Sequence, residues 1–174
     1  MRDVLPQLED WLARGDRVAL ATVVDIRRSA PRPPGAKMAV NEHGEIAGAV
    51  SGGCVEGTVV EIADGVIRGG PPQLQHFGIA DADAWDVGLP CGGEIDVWIQ
   101  AYASGRFEEL ARSGGRATEV TVLKGAHAGT KLLVEADGAR SGSLGAPELD
   151  DEAVRVASEL LWAERSERRG TLFY

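Results

Sequence analysis

The chain's two cysteines, Cys54 and Cys91, each lie against a pair of glycines. The segments are Gly48-Ala49-Val50-Ser51-Gly52-Gly53-Cys54-Val55-Glu56-Gly57 and Gly88-Leu89-Pro90-Cys91-Gly92-Gly93-Glu94. Glycine reaches positive φ at no steric cost and lets a ligand come close to backbone amides. Where such a turn opens a helix, the dipole and the unpaired N–H groups draw a thiol toward thiolate and can equally hold an anion. The candidate site is therefore Cys54 with Ser51, Gly52 and Gly53, and Cys91 with Gly92 and Gly93. The residues alone leave several chemistries open. The thiols could be a redox couple, a nucleophile with a partner, two walls of a pocket for a sulfur-bearing ligand, or simply small packing residues. Glu56 and Glu94 stand two and three residues beyond the cysteines, either as acid/base groups or as a first-turn helix acid and a strand-start surface charge.

A second feature is basic. Arg27, Arg28, Arg32 and Lys37 fall within eleven residues of a chain whose net charge is −9. Arg32 and Lys37 could hold a phosphate or carboxylate by charge-assisted hydrogen bonds. The competing reading is a solvated loop whose arginines pair with surface acids. Familiar glycine motifs do not fit the first cluster. It is not G-x-G-x-x-G, it lacks the lysine of a phosphate-binding loop, and Ser51 has no flanking glycine on its N-terminal side as a nucleophile elbow requires. Zinc from Cys54, Cys91 and one of His43, His76 or His127 has no diagnostic spacing, so no metal site is assigned.

These residues need elements to position them. Residues 3–14 read as a helix that Asp3 can cap, with Val4, Leu5, Leu8, Trp11 and Leu12 on one face. Val18 to Asp25 is a buried strand, and the proline-rich segment from Arg27 to Gly35 a stiff loop. Lys37–Val40 and Glu45–Val50 form a hairpin around Asn41-Glu42-His43-Gly44. Val55, Val59, Ile62 and Val66 repeat at helical spacing, so Cys54 lies at a strand–glycine turn–helix junction. Gln73–Ile79 and the alternating, half-buried Glu94–Gln100 are strands. Beyond these come a short helix over 107–112, strands over 117–124, 131–135 and 139–144, a helix over 150–165, and a final edge strand at 170–174.

The expected fold is α/β, bordering on α+β: a mixed β-sheet flanked by helices in one domain spanning 1–174, with no linker legible. The acidic balance argues against nucleic acid or an anionic membrane as partner. No segment approaches the roughly 20 apolar residues of a membrane span, and the N-terminus lacks a signal-like apolar core, so a cytoplasmic location is expected. In that compartment the cysteines act as thiols. An edge strand permits a homodimer without requiring one.

Three segments together, Pro31-Arg32-Pro33-Pro34-Gly35-Ala36-Lys37-Met38, Gly48 to Gly57, and Gly88-Leu89-Pro90-Cys91-Gly92-Gly93, resemble the XdhC/CoxI family of accessory proteins for molybdenum hydroxylases. The likeness covers roughly residues 1–100 and implies a maturation factor rather than an enzyme. Such a factor binds molybdenum cofactor, a molybdopterin often in its cytosine dinucleotide form. It assists sulfuration with a cysteine desulfurase and delivers the cofactor to an apo molybdenum hydroxylase of the xanthine or carbon monoxide dehydrogenase type. On this resemblance Cys54 and Cys91 are cofactor-contacting thiols, while a phosphate role for Arg32 and Lys37 rests on their charge. Many members continue into a Rossmann-like domain, which is expected to be absent here or supplied by a separate subunit. Typical members carry glycine where Arg28 stands. Against this reading stand a cysteine-dependent enzyme or persulfide carrier using Cys54, and a structural interaction module.

Overall fold

The computed structural model describes residues 1–78, 93–163 and 165–174. Cys91 and Gly92 lie outside the described residues; Gly93 is within them. The chain divides into two compact units, Met1–Ala103 and Ser104–Tyr174. The helix-and-strand class read from the sequence is the class observed, and its strands form two antiparallel sheets, one in each unit.

The first unit contains α1 (Leu5–Ala13), β1 (Val18–Arg27), β2 (Lys37–Asn41), β3 (Ile46–Gly48), α2 (Glu56–Ile67), β4 (Gln73–Phe77) and β5 (Glu94–Ala101). Its strand order is β3-β2-β1-β5-β4. The two long apolar strands, β1 and β5, pair in the middle, where both faces can be covered. Side chains alternate between faces along a strand, so each face has its own set of residues. Ala19, Ala21, Val23, Met38, Val40, Ile95, Val97 and Ile99 join Val59, Ala63, Val66 and Ile67 of α2 in one core. Val18, Leu20 and Ala39 face the other way and pack with Val4, Leu8 and Trp11 around α1. Strand β5 is therefore buried on both faces rather than half-buried, and even Asp96 is only 8% exposed.

A register shift between Val23 and Asp25 inserts Val24 as an extra residue in β1. Past this irregularity Asp25 pairs with Asp96, which pairs in turn with His76 on β4. Three polar residues thus line up across neighbouring strands. At α1 the N-cap is Val4, with no side-chain cap, in place of Asp3; the Asp3 carboxylate instead lies 3.6 Å from Arg32 Nη2.

The second unit contains α3 (Arg106–Ser113), β6 (Ala117–Val122), β7 (Lys131–Glu135), β8 (Arg140–Gly142), α4 (Pro147–Ala163), β9 (Arg168–Arg169) and β10 (Leu172–Phe173). Its order is β8-β7-β6-β10-β9, so the final strand lies between two others and is not the expected edge. The α4 residues Ala153, Val156, Ala157 and Leu160 pack with Val120, Val122, Leu132, Val134, Leu172 and Tyr174 in its core. No helix among the described residues is long and apolar enough to cross a membrane.

Candidate functional site

The glycine loop 51–54 enters α2 through Val55. Gly52 and Gly53 have φ of +83° and +116°, backbone that other L-residues adopt at a cost. A side chain at either position would meet open space, so conformation, not crowding, requires glycine. The turn aims successive amide N–H groups inward. They converge on the carboxylate of Glu56, the first residue of α2. Its Oε1 accepts from the amides of Val50 (3.1 Å), Ser51 (2.8 Å) and Gly52 (3.0 Å). Its Oε2 accepts from the Ser51 hydroxyl (2.5 Å) and the amides of Gly53 (2.8 Å) and Val55 (3.2 Å).

This arrangement changes the chemistry expected of the loop. Burial raises the Glu56 pKa, but hydrogen bonds from Ser51 and from the Ser51 and Gly53 amides more than reverse that, holding the carboxyl at about 2. A group so fully ionised at neutral pH has no proton to donate and accepts one poorly. The acid/base role considered from sequence is replaced by an organising one. The amides expected to cradle an external anion already hold an internal one.

Cys54 is a free cysteine of intermediate exposure. Its amide donates to Ser51 Oγ at 3.0 Å, and the thiol-bearing residue packs at the margin of the α2-facing core, together with Ile26 and Ala30. Ser51 Oγ also accepts from the Val55 amide at 3.0 Å while donating to Glu56. One donor and both acceptor sites of the hydroxyl are in use, which leaves it no freedom to rotate.

Lys37 and Arg32 belong to other surroundings. Lys37 alternates with Met38 of the α2-facing core and so projects from the opposite face, where its Nζ donates to Thr22 Oγ1 at 3.0 Å. Arg32 turns toward Asp3, ahead of α1, and its buried Nε has no hydrogen-bond partner among the described residues. The structure therefore groups Ser51, Gly52, Gly53 and Cys54 but does not join them to Lys37. Arg28 adopts φ +67°, the left-handed conformation natural to glycine. Glu94 behaves as a surface charge, 3.4 Å from Arg27 and 3.7 Å from Arg28.

One pairing escaped the sequence reading. His76 Nδ1 lies 2.7 Å from Asp96 Oδ1, with the aspartate nearly buried and the imidazole half exposed. Such a carboxylate fixes the ring's orientation. The signal was present in two strands that both alternate, but their register could not be read from one sequence. Among the described residues no group of three or more His, Cys, Asp or Glu side chains is placed to hold a metal ion.

A helical N-terminus built from a Ser-Gly-Gly-Cys turn, on a unit with an antiparallel sheet between two helices, defines a thiol-bearing glycine-loop α/β protein. Residues 11–78 and 110–174 match the model of the XdhC and CoxI family, and the chain belongs to that family. It is 36% identical over 104 residues to the molybdenum cofactor insertion chaperone PaoD of Escherichia coli, a match covering 59% of this chain and 32% of that protein. It is 27% identical over 128 residues to a probable xanthine dehydrogenase subunit of Bacillus subtilis, covering 69% of this chain and 39% of that protein. A crystal structure described as a xanthine dehydrogenase from Bacillus halodurans shares the fold, with a TM-score of 0.62 at 21% identity over 80% of this chain and 44% of that one. The chain thus spans roughly a third to two fifths of the length of these curated relatives.

Proposed function

We propose that this chain holds molybdenum cofactor as cargo and passes it to an apo molybdenum hydroxylase of the xanthine or carbon monoxide dehydrogenase type. It acts as an insertion chaperone and not as the enzyme. The observation that carries the reading is the preformed Ser51-Gly52-Gly53-Cys54 turn, which presents one thiol at the start of α2. Family membership and the likeness to an insertion chaperone support the choice of cargo. A soft sulfur donor suits a molybdenum–sulfur centre, and Cys91 with Gly92 and Gly93 is proposed as a second such contact.

The anionic end of the cargo needs a partner other than the glycine-loop amides, which Glu56 occupies. Arg32 is proposed for it, because its orphaned Nε lacks an acceptor that a phosphate oxygen would supply. Lys37 adds charge on the same side of the sheet as α1. The finer parts of this proposal are work in the cytoplasm, sulfuration with a cysteine desulfurase, a cytosine dinucleotide form of the cargo, a homodimer, and a separate Rossmann-domain subunit.

Mass spectrometry of the small molecules carried by protein purified from a molybdenum-replete host tests it. The proposal expects a molybdopterin-class mass, and the nucleotide form is read from the same spectrum. Protein that carries no pterin under these conditions contradicts the chaperone reading.

A further inference from the structure

We infer that Glu56 is a positioning residue: a built-in anion that occupies the place a ligand's phosphate would take in the glycine loop and so fixes Cys54 before any cargo arrives. Several backbone amides turned onto one point are the way proteins bind phosphate. Here the point is filled from within, by the residue that opens the helix the loop leads into. The chain of contact to the thiol is short. Glu56 Oε2 fixes the Ser51 hydroxyl, and the Ser51 oxygen accepts the amide of Cys54 itself. The same carboxylate holds Gly52 and Gly53 in their positive-φ conformations, through one amide each.

The loop therefore does not need a ligand to take its shape. Cys54 is presented in the empty protein as in the loaded one, and cargo binding loses less ordering entropy. The amides are also withheld from Cys54. Without the carboxylate they would be free to stabilise a thiolate or to admit a small anion from solution. The inference deepens the cargo-holding proposal and rests on it for its biological meaning, but it is tested on the thiol alone.

The test is the alkylation of Cys54 by iodoacetamide, measured against pH in the full chain carrying Cys91→Ala, so that one thiol reacts. Glu56→Ala is expected to accelerate alkylation at neutral pH by at least about tenfold and to move the pH profile acidward, because a negative charge two residues from Cys54 is removed and the loop amides lose their internal anion. Added formate should enter the vacated nest and return the rate toward that of the parent. Glu56→Gln fills the same space without charge, so it should show a smaller acceleration and no response to formate. Ser51→Ala, a milder change, removes the hydroxyl that links the carboxylate to the Cys54 amide and leaves the five amide contacts in place; it should accelerate the reaction less, and it serves as the test if Glu56→Ala does not fold.

Parental rates and profiles in all three variants would overturn the inference. So would an acceleration in Glu56→Ala that formate leaves untouched, because general loosening of the helix start would produce that. Pterin content of the unsubstituted chain, with Cys91 in place, separates the two proposals. If that chain carries no pterin, the cargo reading fails and the Glu56 result still stands.

Discussion

At α2 and α3 a glutamate in the first turn folds back onto the glycine-containing turn before the helix. At α3 in the second unit, Glu108 Oε2 accepts one amide, that of Gly105, at 2.9 Å. At α2 in the first unit, Glu56 accepts five amides and a hydroxyl. Glu108 does the ordinary work of a helix start, satisfying one donor that has no partner within the helix. Glu56 does that and also determines the conformation of four residues upstream. The same residue type at nearly the same position is a cap in one unit and the centre of a loop in the other. What separates them is the Ser51-Gly52-Gly53 turn, whose positive φ values point consecutive amides to one side.

The comparison breaks most visibly under truncation. Glu56→Ala should cost about 2–3 kcal/mol, since several charge-assisted bonds are lost and the amide of buried Val50 loses its acceptor. Glu108→Ala should cost about 1 kcal/mol, as a single cap does. Urea unfolding of both variants measures the gap, and equal costs would make Glu56 a cap like any other.

Acid should separate the sites next. The folded pKa of Glu56, about 2, lies below its ordinary 4.5, so its contribution is complete above pH 4.5 and is lost as the pH falls from 4.5 toward 2. Discounted for the solvent screening of a partly exposed carboxylate, that is about 1–2 kcal/mol. The stability difference between the parent and Glu56→Gln should therefore shrink between pH 6 and pH 3; a constant difference would contradict the assignment.

Glycine substitutions sharpen the contrast on a smaller scale. Gly53→Ala, at φ +116°, should destabilise by about 1–2 kcal/mol, whereas Gly65→Ala in the last turn of α2, with open space around its Cβ, should stabilise by about 0.5–1 kcal/mol. Thermal melts give both signs directly. The smallest effect is expected at Arg28, where relief of the φ +67° strain is largely offset by the flexibility glycine adds to the unfolded chain. Arg28→Gly should be neutral to stabilising by less than about 1 kcal/mol.

Local elements were largely legible, because helix and strand periodicities are written in the chain. Val59 and Val66 mark the buried face of α2, and Asn41 to Gly44 mark a turn. The division into two sheets was not legible, since the boundary at Ala103–Ser104 has no linker composition and strand partners are a long-range property. The Ser51 to Cys54 turn was legible as a turn from its glycines. What its amides bind was misassigned, because the direction of one Glu56 side chain decides between an external anion and an internal one. Pairing of His76 with Asp96 depends on register between β4 and β5, and the separation of Lys37 from the glycine loop depends on the parity of β2. Neither follows from spacing along the chain.

The central claim is that the glycine loop with Cys54 is where cargo is held, and the fluorescence of oxidised pterin released from equal amounts of purified parent and Cys54→Ala tests it most directly. A contact worth about 1.4 kcal/mol or more predicts at least about a tenfold fall in retained pterin for the variant when binding is subsaturating. Undiminished pterin in Cys54→Ala would contradict the account.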